Sequence, residues 1–260
     1  MSAFFTHSTL LTGRTLRAFW RMPVFLVLNL IQPVIWLLLF GQLFKSVIQI
    51  PGFSPGTGSF LQFLTPGVVM MMALFASVWA GTTYIQDMDR GVMDRFLTST
   101  TNRGALMVST LIYQAILTVM QTLIIMGIAW LAGARFHGGV AGLLLLLAAA
   151  VLLTAIFAAL SNALALLARQ QQALIAIFQL FSLPLTFLSS AIMDTRLAPA
   201  WVRNAAKFNP FEWAVIVGRG ALQASADWPA IWAHLGLLAA LTAVMAAVAT
   251  RAFRAYQRSA

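Results

Sequence analysis

A chain of 260 residues with 61% hydrophobic and 8% charged side chains cannot cover a water-facing surface, because soluble domains carry about 25% charged residues. Its surroundings are therefore expected to be lipid, and the formal net charge of +10, from 16 basic against 6 acidic residues, is read as contact with anionic lipid and orientation in a bilayer, not as nucleic-acid binding. With no cysteine, disulfides and thiolate metal sites are excluded.

In chain order, the first feature is "HSTLLTGRTLRAFWR", where Arg14, Arg17 and Arg21 share one helical face and Leu16, Phe19 and Trp20 lie on the other side. The order of a cleavable signal is not found, so residues 1–21 are expected to form an amphipathic helix in the membrane interface; a basic flank of the first span is the alternative. A spanning helix needs about 20 apolar residues. The charge-free runs are 22–44, 46–86, 104–134, 136–168, 170–193 and 228–250. The second opens on the turn-rich "IPGFSPGTGSF", which places the start of its helix near Phe60. Between Asp194 and Asp227, charges recur at Arg196, Arg203, Lys207, Glu212 and Arg219, so no piece of 194–227 can cross. Asn209-Pro210 splits that segment into two short helices expected to dip into the outer membrane face or lie on it. The expected architecture is an all-α membrane protein of six transmembrane helices, an interfacial N-terminal helix and short outer re-entrant helices between spans five and six. With both termini inside, the inner segments hold ten basic residues and the outer segments six, the arrangement that the positive-inside rule favours.

The chemistry the chain lacks narrows its function. There is no "GxxxxGK[ST]" loop, and neither lysine, Lys45 or Lys207, follows a glycine-rich turn. His7, His137 and His234 are scattered without metal-ligand spacing, and no "GxSxG" elbow is present. No catalytic residue, metal ligand or cofactor-binding residue is expected in this chain. The span interiors contain no Asp, Glu, Lys or Arg. Ion-coupled carriers usually place such groups inside the membrane, so a transporter of this kind needs energy from a partner. Uncharged polar residues remain: Gln114, Thr118 and Gln121 on one face of the third span, and Gln172, Gln179, Thr186 and Ser189 on the fifth. Asn29 and Gln32 stand on the first span, and Ser161-Asn162 near one end of the fourth. They are read either as interhelical hydrogen bonds, about 0.6 kcal/mol each, or as the lining of a substrate path, for which Gln114, Thr118, Gln121, Gln179 and Thr186 are the candidates.

Four stretches resemble one family in order and spacing. They are "QPVIWLLLFGQLF" with Pro33, Trp36 and Gly41; "FLTPGVVMMMALFASVWAGTTYIQDMDRGVMDRFLTS" with Pro66, Gly67, Asp87, Gly91, Asp94 and Arg95; "TFLSSAIM"; and "LAPAWVRNAAKFNPFEWAVIVGRGAL" with Pro199, Trp201, Asn209, Pro210 and Arg219. The chain resembles the membrane subunits of ABC-2 type exporters, in particular the drug-resistance branch related to daunorubicin-export permeases. One departure is Thr101, near the place where the family often has a proline. The resemblance covers essentially the whole chain, 1–260. It implies a permease that pairs with a second copy or a paralogue and recruits two separate ATP-binding subunits, with ATP and Mg bound on those partners. It also implies residence in a bacterial inner membrane.

The stretch 86–100 is then expected to be a cytoplasmic coupling helix. Asp87, Asp89, Arg90, Gly91, Asp94, Arg95 and Phe96 would meet an ATPase groove; a solvated loop held by local charge pairs of about 0.2–0.5 kcal/mol each is the alternative. The expected cargo is an amphiphilic drug or lipid. A lipid-linked polysaccharide is the rival cargo, and a membrane-integral enzyme or a scaffold are rival functions.

Overall fold

A computed structural model describes residues 13, 31–44, 59–90, 103–192, 195 and 198–259. The interfacial helix expected over 1–21, apart from Gly13, lies outside the described residues, as do Gly91, Asp94, Arg95 and Phe96.

Every regular element among the described residues is helical. Helix α1 (Ile31–Leu43) contains a π turn at Trp36–Phe40. Helix α2 (Phe60–Asp89) starts where the turn-rich segment ends. Ser59 caps it through a reciprocal pair: the Gln62 N–H donates to Ser59 Oγ at 3.2 Å and the Ser59 N–H to Gln62 Oε1 at 3.1 Å, satisfying two of the free amides of a helix start. Helix α3 (Arg103–Leu131) and helix α4 (Gly139–Ala168) follow, and Arg169, in the left-handed region at φ 51°, turns the chain into helix α5 (Gln171–Phe187). The two short helices expected around Asn209-Pro210 are α6 (Ala200–Ala206) and α7 (Pro210–Leu222). Helix α8 runs over Trp228–Ser259.

Among the described residues, four helical stretches are long and apolar enough to cross a membrane: Phe60–Asp89, Val108–Leu131, Gly139–Ala168 and Trp228–Phe253. Helices α1 and α5 are apolar but shorter over their described lengths. The 17 residues of α5 rise about 26 Å, less than the hydrocarbon thickness of about 30 Å. The charge-free run 170–193 is longer than the helix because the chain leaves it at Leu188 and enters a turn drawn into the bundle (below).

Helix α4 is the hub: α2, α3, α5, α7 and α8 all pack against it. Its buried side carries many small residues, among them Ala149, Ala150, Ala158, Ala159 and Ala163, which let neighbouring backbones approach closely. In α2, 78% of the apolar window is buried, against 11% in α8. So α2 is an internal strut and α8 an outer wall. Large apolar side chains such as Leu131, Val140, Leu180, Phe187 and Trp232 are exposed, as expected when lipid rather than water is the solvent.

The start of α4 touches α7 so closely that a Cβ on Gly142 would collide with the Ala221 carbonyl oxygen, whereas nothing lies near Gly236. Gly142→Ala should therefore lower the thermal unfolding midpoint of the detergent-purified chain, with overpacking costing about 1–3 kcal/mol. Gly236→Ala should leave the midpoint unchanged or slightly higher.

Candidate functional site

The candidate residues fall at two ends of the bundle and in the layer between them. At one end, α2 runs out of its apolar sequence and into charge. Asp87 is half-buried there and Asp89 and Arg90 are exposed; the Arg90 N–H closes the last turn on the Gln86 carbonyl at 3.1 Å. One helix thus carries Asp87, Asp89 and Arg90, the first charges of the stretch 86–100, at the end of the most buried of the described apolar helices.

In the middle layer the polar face of α3 turns into the bundle. Gln114 and Thr118 are buried and Gln121 is half-buried. Thr118 Oγ1 meets Thr154 Oγ1 of α4 at 2.9 Å, and Asn162 of α4 donates to Thr110 Oγ1 at 3.3 Å. On α5, Thr186 is buried and donates to the Ser182 carbonyl at 2.9 Å, whereas Gln179 is exposed beside Leu180 and Phe181. Helices α3 and α5 do not pack on one another to any extent. The five path candidates are thus not brought together within one chain: Thr118 bonds to α4, while Gln179 sits on an outward face.

The other end is a polar clamp. Asn209 accepts from the Phe211 N–H at 2.9 Å, which caps α7, and donates to the carbonyls of Leu185 and Leu188 at 2.7 and 2.9 Å, which closes the end of α5. Pro210 follows at the first helical position, where its missing N–H is harmless. Glu212 accepts from the Ser190 N–H at 2.5 Å. Arg219, two turns further along α7, donates to Ser190 O at 2.7 Å, Ser190 Oγ at 3.1 Å and Phe63 O at 3.2 Å, and its guanidinium lies 3.8 Å from the Phe63 ring centroid. Gln62 donates to the Arg135 carbonyl. Gly67 passes so close to the Ala191 carbonyl that a Cβ there has no room. Of the motif residues, Gly67 and Asn209 therefore meet the end of α5 and the turn after it, with Pro66 and Pro210 next to them in the chain; Pro33 is buried on α1. Burial pushes the Glu212 carboxyl above its usual range, opposed by the Ser190 hydrogen bonds and the Arg219 charge.

Two features escape a reading by composition and spacing. One is Arg219 as the centre of the clamp, since its partners lie 29 and 156 positions away. The other is an aromatic ladder. Trp36 stacks on Phe40 at 4.4 Å, Phe40 on Phe44 at 5.6 Å, Phe44 approaches Phe60 at 5.9 Å, Phe60 approaches Phe63 at 5.9 Å, and Arg219 covers the last ring. The repeat of aromatics every fourth residue in "WLLLFGQLF" is its only visible signal. Among the described residues no group of three His, Cys, Asp or Glu could hold a metal.

The family model for ABC-2 type transporters matches residues 6–222. The chain is similar to the daunorubicin resistance ABC transporter permease protein DrrB1 of Streptomyces coeruleorubidus, with 28% identity covering 98% of this chain and 87% of that protein. It is also similar to the putative transport permease ycf38 of Cyanophora paradoxa, with 28% identity over 75% of this chain and 67% of the relative. The ycf38 of Porphyra purpurea gives 27% identity over 80% and 71%.

Removing Arg219 alone strips a donor from the Ser190 and Phe63 carbonyls and a neighbouring positive charge from Glu212, and a buried acceptor left unsatisfied costs about 1–3 kcal/mol. Arg219→Leu should therefore lower the unfolding midpoint sharply. The double variant with Glu212→Gln should lose less than the sum of the two singles, and Arg203→Leu, at an exposed position, should change little.

Proposed function

The chain belongs to the ABC-2 type transporter family, and on that footing we propose that it is the membrane-spanning permease subunit of an ABC exporter that moves an amphiphilic drug or lipid-like cargo out of the cytoplasm or inner leaflet. ATP and Mg are bound by a separate ATPase, two copies per complex, and the permease pairs with a second copy of itself or a paralogue. Helices α1 and α5 complete six spans with α2, α3, α4 and α8. Both termini are cytoplasmic in a bacterial inner membrane, and α6 and α7 form the outer re-entrant segment.

The observation that carries this reading is the distribution of charge. The spans hold no Asp, Glu, Lys or Arg between Phe60 and Gln86, in 104–131, in 139–168, in 171–187 or in 228–250, while acidic and basic residues gather directly beyond the end of α2. A bundle without internal coupling groups takes its energy from outside, and the end of α2 is the place to deliver it. The stretch 86–100 acts as the coupling helix: Asp87, Asp89, Arg90, Asp94 and Arg95 set the polar contact with the ATPase, Gly91 allows close approach and Phe96 adds an apolar one. The drug-resistance relative supports an amphiphilic cargo. So does the aromatic ladder, which is built of Phe apart from Trp36 and offers few polar handles for sugar hydroxyls. Gln172 and Gln179, exposed two turns apart on one face of α5, support that face as the one turned to the cargo path or to the second permease.

The test is reconstitution of the chain with its ATPase in proteoliposomes, with drugs, lipids and glycolipids offered in parallel. ATP-dependent movement of an amphiphile supports the proposal. Stimulation by glycolipid alone would move the assignment to the polysaccharide class, and absence of both transport and stable co-purification would refute the exporter. Charge reversal at Asp87 or Arg95 should uncouple ATP hydrolysis from transport while the unfolding midpoint of the bundle holds. Normal transport by both variants would remove the coupling role.

A further inference from the structure

Helix α2 is broken at one residue, Ser77. The Ser77 N–H donates to Leu74 O and the Ala80 N–H to Ser77 O, both at 3.2 Å, and Ser77 sits at φ −64° and ψ −24°, so the ladder tightens locally into a 3₁₀ turn. The Ser77 hydroxyl donates to the Ala73 carbonyl at 2.7 Å. Immediately after the break, a side chain from another helix enters the backbone ladder. Ser161 of α4 accepts from the Gly81 N–H at 3.2 Å and donates to the Val78 carbonyl at 3.0 Å. Sharp bends in helices have few causes, and one is a side chain inserted into the main-chain ladder. Gly81 makes the insertion feasible, because a Cβ there would lie 2.5 Å from both Ser161 O and Ser161 Oγ. Ser161 is fully buried, so water does not compete for either bond.

The position of the break gives it a consequence. On one side of it, α2 is fixed to the clamp through Gln62, Phe63 and Gly67. On the other side, one short helical segment, Val78–Asp89, leads to the charged stretch. We infer that Ser77–Gly81 is the hinge of α2 and that Ser161 is a positioning residue for transport. It splints the charged segment to α4 so that displacement of the coupling stretch is passed to the bundle and not lost in bending of α2. This rests on the exporter reading given above. It names the element through which that reading's coupling stretch must act, and it concerns residues outside the stretch itself.

Two measurements test it, with Thr242→Val as control, since Thr242 of α8 likewise reaches an α4 carbonyl, Leu152 O at 3.4 Å. In the purified chain, Ser161→Ala should speed amide hydrogen exchange at 78–82 by about tenfold, the loss expected for a hydrogen bond or two, with little change at 62–74. In the reconstituted complex, Ser161→Ala should keep ATP hydrolysis and assembly while transport per ATP falls severalfold, and Thr242→Val should keep the wild-type ratio. Unchanged exchange at 78–82 would overturn the splint. A wild-type transport ratio in Ser161→Ala, or an equal fall in Thr242→Val, would overturn the positioning role. If the wild-type complex moves no cargo, the exporter reading fails and the positioning role with it, while the exchange result still decides whether Ser161 holds the hinge.

Discussion

A helix that bends or ends inside an apolar bundle exposes carbonyls and amides that lipid cannot satisfy. The fold depends on how those groups are met, because this chain breaks its helices repeatedly. The end of α5 is met by Asn209, the turn beyond it by Arg219 and Glu212, the loop before α4 by Gln62, and the break in α2 by Ser77 and Ser161. Each of these side chains is polar, sits in an otherwise apolar setting and binds main chain. That is why so few polar residues suffice, and why they sit where they do. The small residues serve the same end: at Gly67, Gly81 and Gly142 a side chain would block the approach that brings donor and acceptor together.

The result is a molecule with two unlike ends joined by one strut. At the clamp, three segments distant in sequence (the start of α2, the turn after α5, and α7) are tied by direct hydrogen bonds and by the Arg219–Phe63 contact. At the other end, α2 leaves the bundle with its charges, and the cluster around it, including Tyr84, Ile85, Leu166 and Leu174, is smaller. A tied end and a charged end on the same helix suit the proposed permease, which would receive work at one membrane face and use it within the bilayer.

Much of this was legible from residue order. The absence of charge marked the apolar runs, the turn-rich segment fixed the start of α2 at Phe60, and Asn209-Pro210 fixed the boundary of α7. What local sequence cannot supply is the partner. The polar face of α3 was visible, but that it meets Thr154 of α4 and not Gln179 of α5 depends on packing around the α4 hub. Arg219 reads only as a charge that bars a helix from crossing; its role comes from carbonyls brought to it by other elements. The length of α5 was overestimated because charge alone does not mark a turn whose carbonyls are capped by a distant asparagine. Ser161 was noticed as a polar residue near a helix end, yet its effect lies in the backbone of another helix.

The central claim is that the charged end of α2 is held to α4 by Ser161, so that the two move as one during the ATP cycle. A chain without cysteine is well suited to site-directed spin labels, with one pair at 89 and 169 and another at 132 and 207, all exposed positions. Distances measured in the reconstituted complex, with labelled chain diluted into unlabelled, should stay fixed between nucleotide-free and ATP-trapped states for both pairs in the wild type, and in Ser161→Ala should shift for the 89–169 pair alone. A wild-type 89–169 distance that changes with nucleotide, or an unchanged one in Ser161→Ala, would contradict the account.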